Sequence, residues 1–153
     1  MGTTKLDLTK EYKTYYTGRI TPEIIDFDEA QFLTIQGKGA PQSDEFMAKL
    51  EALYPLAYGI KMPMKKEGKD FTVAKLEGLW WVESSKPFME VSREQWQWKL
   101  LIRMPEFVTQ EIFERAKSLV ENGLHHEIYL SDPRKVAPEK MKTILRQPVK
   151  EKE

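Results

Sequence analysis

Short apolar segments bounded by turn residues recur along the chain and predict five β-strands. The strands are expected at Phe27–Ile35, Phe71–Trp81, Trp96–Met104, His125–Leu130 and Lys142–Val149. The third segment shows the clearest two-residue period, so that one of its faces would carry Trp96, Trp98, Leu100, Ile102 and Met104.

Helical spacing of apolar residues between the first two strands predicts a helix at Asp44–Ile60. Ser43 or Asp44 can cap its first turn. Pro55 removes one backbone hydrogen bond within this helix, so a bend is expected at Glu51–Pro55 and an end before Pro63.

A second helix is predicted at Gln110–Glu121, with Thr109 as its N-cap and Gly123 just past its end. Val108 and Phe113 are spaced to form a hydrophobic staple around that cap. The predicted order is β-α-β-β-α-β-β, which favours an α+β fold with an antiparallel sheet and helices on one face. The strands Phe71–Trp81 and Trp96–Met104 are expected to be neighbours, because short sequential connections favour adjacency.

Composition narrows the class of protein. With 153 residues and 41% hydrophobic content, one domain spanning 1–153 is expected, with residues 1–19 and 150–153 loosely ordered. Lys plus Arg and Asp plus Glu both total 24, so no net field attracts nucleic acid or an anionic membrane. There is no cysteine and no apolar leader, which favours a cytoplasmic protein.

Standard catalytic motifs are absent from the sequence: it has no phosphate-binding glycine loop, no nucleophile elbow and no zinc-binding helix. His125 and His126 are adjacent on a predicted strand and would point to opposite faces, which prevents them from binding one metal side by side. The sequence therefore predicts neither a metal nor a cofactor.

All four tryptophans lie between Trp80 and Trp98. Such a concentration suggests the wall of a binding pocket, although packing within the core explains it equally well. Glu77 and Glu127 lie on predicted strands beside aromatic residues, where an acid is either exposed and inert or part of a site. Lys75 or Lys99 could instead pair with these acids structurally.

Several segments together resemble the GyrI-like small-molecule-binding superfamily. His126–Arg134 followed by Pro138–Ile144 is similar to its C-terminal signature, and the sequence Leu-Glu-Gly-Leu-Trp-Trp at Leu76–Trp81 looks like the mark of one bacterial subfamily. Lys10–Lys13 and Phe32–Gly39 are similar to the same proteins.

This resemblance implies two related β-α-β-β modules with a ligand cleft between them. It implies that Glu127 supplies an acid at the pocket floor beside Tyr129, and that some members bind protein partners such as gyrase. The tryptophan-rich subfamily is associated with hydrolysis of cyclopropane-bearing, DNA-alkylating natural products. Between Glu121 and His125 the chain lacks the strand and helix that open the second module, so a homodimer that completes the fold is expected.

Three functions follow from these observations. The first is capture of a flat, lipophilic, cationic or neutral compound by a pocket containing Trp80, Trp81, Trp98, Glu77, Glu127 and Tyr129. The second is a hydrolase in which Glu127 acts as general base and Tyr129 orients the water or the ligand. The third is a partner-binding module without a ligand. Binding is the preferred interpretation, since catalysis needs a more complete and drier site.

Overall fold

The computed structural model of the protein describes residues 4–121. In chain order these residues form α1 (Leu8–Glu11), β1 (Gln31–Lys38), α2 (Asp44–Lys66), β2 (Leu76–Trp81), two short 3-10 turns (Phe88–Glu90 and Arg93–Gln95), β3 (Gln97–Met104) and α3 (Gln110–Glu121). None of the helices in this range is both long enough and apolar enough to cross a membrane. The two strands predicted after α3 lie outside the described residues.

The three strands form an antiparallel sheet in the order β1-β3-β2. β3 occupies the centre because its alternating apolar residues can be buried by α2 while both of its edges are paired. The predicted antiparallel sheet, its α+β class and the adjacency of β2 and β3 are confirmed. The face of β3 that carries Trp98, Leu100 and Ile102 is buried, as the two-residue period predicts.

Two strand boundaries differ from the prediction. β1 begins at Gln31 rather than at Phe27, since Gln31 pairs with Met104 and the next residue of the partner is a proline that lacks an N–H. β2 begins at Leu76 rather than at Phe71. Phe71 instead forms an isolated parallel bridge with Leu6, so the preceding segment is tied to the N-terminal residues.

α2 is longer than the sequence predicts. Ser43 caps it by accepting a hydrogen bond from the N–H of Phe46, as expected. The helix then continues through Pro55 and Pro63 to Lys66, so the predicted end before Pro63 is wrong. The apolar stripe continues with buried side chains on both sides of that proline, and packing holds the last turn although one backbone hydrogen bond is missing.

The core lies between α2 and the sheet face that we call the helix face. On β3 and β1 this face carries Ile102, Leu100 and Leu33, all buried against the helix. α3 packs on α2, and its start is as predicted, because Thr109 accepts a hydrogen bond from the N–H of Ile112.

A glycine on β1 permits close packing at one end of the helix face. Gly37 pairs with Trp98, and the indole of Trp98 lies directly over its Cα. A Cβ atom at position 37 would overlap the indole ring. The fully buried position of Trp98 therefore depends on the absence of a side chain at Gly37.

Residues 6–16 of the N-terminal segment contact the rest of the fold, whereas the loose order expected for 1–19 as a whole stays a prediction. Asp7 caps α1, and Leu8 is only 3% exposed within the main core. Leu6 exchanges two backbone hydrogen bonds with the segment at Asp70–Thr72. These contacts place the tyrosines that follow α1 against the sheet.

Candidate functional site

β2 distributes the predicted site residues over both faces of the sheet. Trp80 pairs with Trp98, and the rings of these two residues lie 6.4 Å apart on the helix face. Because successive strand residues point to opposite sides, Glu77 and Trp81 lie on the other face. The expectation that the adjacent tryptophans Trp80 and Trp81 diverge agrees with this register.

The tryptophans on the helix face form an aromatic cluster with α2. Phe46 stacks on Trp80 at 6.0 Å with an interplanar angle of 21°, and meets Trp98 edge to face at 5.1 Å. Trp96 contacts Trp80 at 6.0 Å and fixes its own ring by donating its indole N–H to the carbonyl of Val91 at 3.1 Å. The cluster packs the helix against the sheet.

Exposure separates the two tryptophans at the centre of this cluster. Trp98 is 0% exposed and Trp80 is 36% exposed. Trp98 therefore acts as core packing behind Trp80, and a ligand on this side of the sheet would meet Trp80 at the edge. The core interpretation of the tryptophans thus fits Trp98 better than it fits Trp80.

The opposite sheet face, which we call the tyrosine face, carries Glu77, Trp81 and Arg103 and is partly covered by Tyr12 and Tyr15. The hydroxyl of Tyr15 donates a hydrogen bond to one carboxylate oxygen of Glu77. The half-buried Glu77 is thus held by a phenol from the N-terminal segment. Among the described residues, neither of the lysines considered from the sequence pairs with this acid.

Aromatic rings surround the phenol that holds Glu77. Tyr15 meets Phe27 edge to face at 5.0 Å, and the ring of Phe32 on β1 lies 6.4 Å away. The Tyr15 hydroxyl therefore points at Glu77 from a ring that is fixed by its neighbours.

The guanidinium of Arg103 lies beside the tyrosines of this face. The guanidinium carbon of Arg103 lies 3.9 Å from the ring centroid of Tyr12 and 5.3 Å from that of Tyr15. Arg103 is on β3 and pairs with Phe32 of β1, so it shares the face of Glu77. Glu77 and Arg103 thus both contact Tyr15, one at its hydroxyl and the other at its ring.

The remainder of the tyrosine face is more open. Leu79 is 41% exposed, Trp81 is half-buried, and Thr34 and Gln36 on β1 are exposed. The face therefore presents a surface that is apolar and partly aromatic along β2 and polar along β1, and that leads to an acid and a cation. Such a combination of apolar surface with a few polar groups is typical of small-molecule sites.

Glu127 and Tyr129, predicted as the catalytic pair, lie outside the described residues, as do His125 and His126. Their roles stay predictions. Within residues 4–121, no group of three or more acidic or histidine side chains is arranged to hold a metal ion.

A cavity of about 240 Å³ is lined by none of the four tryptophans. It is formed by β1, the end of β3 and the start of α3, with Thr34, Met104 and Phe113 among its lining residues. None of the residues predicted from the sequence as ligand contacts lines it.

Sequence reasoning missed Tyr15 and Arg103. Tyr15 belongs to a segment without hydrophobic periodicity, from which no contact with β2 could be inferred. Arg103 was detectable, because the same two-residue period that buries Trp98 and Ile102 on one face places Lys99 and Arg103 together on the other.

Comparison with known proteins gives structural relatives. No family model and no curated protein matches the chain. A conserved protein from Listeria innocua, described as uncharacterized, has a similar structure, with a TM-score of 0.70, 36% identity, and coverage of 78% of this chain and 60% of that one. A hydrolase from the same organism gives a TM-score of 0.68 and 37% identity over 79% of this chain and 60% of that one.

A third similar structure is also described as a hydrolase from Listeria innocua, with a TM-score of 0.64 and 36% identity over 78% of this chain and 59% of that one. This chain thus spans about 60% of the length of the proteins it matches. It shares its fold with proteins that include hydrolases.

Proposed function

We propose that this chain is a small-molecule-binding protein of the GyrI-like type that captures flat, lipophilic compounds, cationic ones included, on the tyrosine face. The observation that carries the proposal is the Tyr15–Glu77 hydrogen bond on the same sheet face as the half-buried Trp81 and the exposed Leu79. Partial burial of a carboxylate costs free energy, and packing against the sheet does not require a charge at this position.

The chemistry of this face suits a flat ligand with a positive centre. The Trp81 indole and the Leu79 side chain offer apolar surface for a planar ring system. The carboxylate of Glu77 can neutralise a cation, and the tyrosine rings add attraction of their own. Glu127 is proposed as a second acid of the same pocket on the strength of the sequence resemblance.

A second candidate function is hydrolysis, which is favoured by the similarity to two structures described as hydrolases. For a cyclopropane-bearing substrate, the oxygen of water would bond to a ring carbon while a strained carbon–carbon bond breaks. The released electron pair would move to an electron-withdrawing group of the substrate, which takes up a proton. A pocket glutamate would accept the proton that the attacking water loses.

Replacement of Glu77 tests the binding proposal. Binding of naphthylmethylammonium and of isopropylnaphthalene is measured by quenching of tryptophan emission. Glu77→Gln keeps the shape of the side chain and removes its charge, so the cation should bind roughly tenfold more weakly while the neutral compound changes little. Glu83→Gln is the matched control, since Glu83 is an exposed glutamate in the loop after β2.

The two candidate functions separate when a cyclopropane-bearing alkylating compound is incubated with the protein and the products are analysed by mass spectrometry. Gain of one water that requires Glu77 or Glu127 identifies a hydrolase, and binding without this product identifies a capture protein. Equal effects of Glu77→Gln on the cation and the neutral compound would place the binding site elsewhere.

A further inference from the structure

Arg103 is a cation in an unusual environment. It lies near the end of the central strand β3, pairs with Phe32 of β1, and is only 7% exposed. A guanidinium so deeply buried is normally paired with a carboxylate or fully hydrogen-bonded. Here the contacts within the described residues are the faces of two tyrosine rings, Tyr12 and Tyr15.

The N–H groups of Arg103 are unused within the described part of the chain. No carboxylate there forms an ion pair with Arg103, and no acceptor there takes a hydrogen bond from it. Cation–π contacts engage the flat face of a guanidinium and leave its five donors, which lie in the plane, available. The Tyr12 ring contacts the guanidinium of Arg103, and the N–H donors at the edge of that guanidinium remain available for another partner.

The acid of the proposed site is close to these donors. Glu77 pairs with Leu101, and Arg103 is two residues further along β3, which makes Glu77 and Arg103 diagonal neighbours on one face. Such neighbours are typically about 7–8 Å apart. Tyr15 contacts both residues, Glu77 through its hydroxyl and Arg103 through its ring. The guanidinium donors and the carboxylate are therefore separated by roughly the width of one aromatic ring.

We infer that Arg103 binds a carbonyl oxygen of the ligand on the tyrosine face, next to the group that meets Glu77. The inference rests on the proposed function and names the ligand class more closely: flat compounds that carry a neutral carbonyl acceptor. A neutral acceptor fits better than an anion, because the negative charge of Glu77 on the same face disfavours a second negative group. The planar fork of arginine suits an sp² oxygen.

The test compares two probes of nearly equal shape, acetylnaphthalene with a carbonyl and isopropylnaphthalene without one. In the natural protein the carbonyl compound should bind about tenfold more tightly, as a hydrogen bond from a charged donor predicts. Arg103→Met keeps an unbranched apolar stem but removes the guanidinium, and it should bring this ratio close to one. The ratio compares the affinities of the two probes for the same variant. A displacement of Tyr15 that weakens both probes equally therefore leaves the ratio unchanged.

Two further variants complete the experiment. Arg103→Lys keeps the charge but not the fork, and its ratio should fall between those of the natural protein and Arg103→Met; it also serves if Arg103→Met does not fold. Arg93→Met is the matched control, since the guanidinium of Arg93 also lies over a ring, 5.6 Å from that of Trp96, but outside the tyrosine face. It should leave the ratio unchanged.

Naphthylmethylammonium distinguishes this inference from the proposed function. If the cation binds in a Glu77-dependent manner while the carbonyl compound has no advantage, or keeps its advantage in both Arg103 variants, the role of Arg103 is wrong and the site stands. If none of the three probes binds, both the site and the role of Arg103 are overturned.

Discussion

Lys61 and Asp70 form a largely buried ion pair that ties α2 to the segment following it, with which the N-terminal Leu6 pairs. Their charged atoms lie 2.6 Å apart, and Lys61 also donates to the carbonyl oxygen of Phe71. Because the backbone carbonyl of Asp70 accepts the hydrogen bond of Leu6, the pair fixes the place where the N-terminal residues join the fold. It therefore supports the position of the tyrosines on the opposite sheet face.

This pair predicts a pH-dependent loss of stability. The hydrogen bond from Lys61 holds the pKa of the Asp70 carboxyl below its usual range, despite partial burial that acts in the other direction. A depressed pKa in the folded state stabilises the protein above the unfolded pKa of about 4, and this contribution is lost as the pH falls through the folded value. At pH 7, Asp70→Asn should lower the free energy of unfolding by roughly 1 kcal/mol, because Lys61 keeps a hydrogen-bond acceptor but loses the compensating charge.

Urea unfolding of the natural protein and Asp70→Asn between about pH 7 and pH 2 checks this, since both should converge in acid. Asp28→Asn, at an exposed aspartate, is the control and should follow the natural protein. A difference that stays constant down to the lowest pH would contradict the role of the Asp70 charge.

Individual residues of the site could be predicted only in part. Glu77 was identified because an acid within a tryptophan-rich strand is unusual. Its partner Tyr15 was not, because the hydrogen bond joins residues 62 positions apart and the N-terminal segment has no period that predicts its direction. Contacts of that kind are set by the tertiary fold rather than by local sequence.

Among the helices and strands, α3 shows how far local signals reach. Its start was predictable, because Thr109 and the apolar spacing after it act within a few residues. The end of α2 was not, because the helix rule for Pro63 was overridden by burial of the flanking Ile60 and Met64 in the core. The start of β1 was missed because it depends on where the partner strand ends.

α2 therefore contains a proline that the fold tolerates rather than requires. Pro63→Ala restores a backbone hydrogen bond within the helix and removes the clash of the ring with the preceding turn. The gain is offset in part by the greater freedom of the unfolded chain, so the free energy of unfolding should rise by about 1–2 kcal/mol. The midpoint of urea unfolding measures this change.

Pro41→Ala is the matched control for this prediction, since Pro41 is exposed in the turn before α2. It gives the unfolded chain the same additional freedom but restores no helical hydrogen bond, so its midpoint should stay the same or fall slightly. A lower midpoint for Pro63→Ala as well would show that the proline shapes the last turn of α2.

For the molecule as a unit, element order was enough to predict the α+β class and the antiparallel sheet. The strand order β1-β3-β2 was not predicted in full, since only the β2–β3 adjacency follows from a short connection. The sequence also did not predict that the N-terminal tyrosines cover part of the tyrosine face. It determines which residues surround Glu77, and so the greater part of the candidate site depended on the fold.

The homodimer stays a prediction, and the sheet suggests where it would form. Within residues 4–121, β2 is an edge strand, and its residues Leu79 and Trp80 are exposed. Light scattering at micromolar concentration should give twice the monomer mass, and Leu79→Lys should shift the protein towards monomer, since a lysine on an edge opposes pairing. Met89→Lys, at an exposed residue outside the strand, should have no effect. A natural protein that is strictly monomeric would rule the dimer out.

The contact between Gly37 and Trp98 links two positions that are far apart in the sequence. A side chain at position 37 would collide with the indole, so it becomes acceptable only after the residue at position 98 has become smaller. A smaller residue at position 98 would in turn leave a cavity beside Phe46 until position 37 fills it. Each single step lowers stability and the pair of steps restores part of it, so these two positions are expected to change together among related sequences.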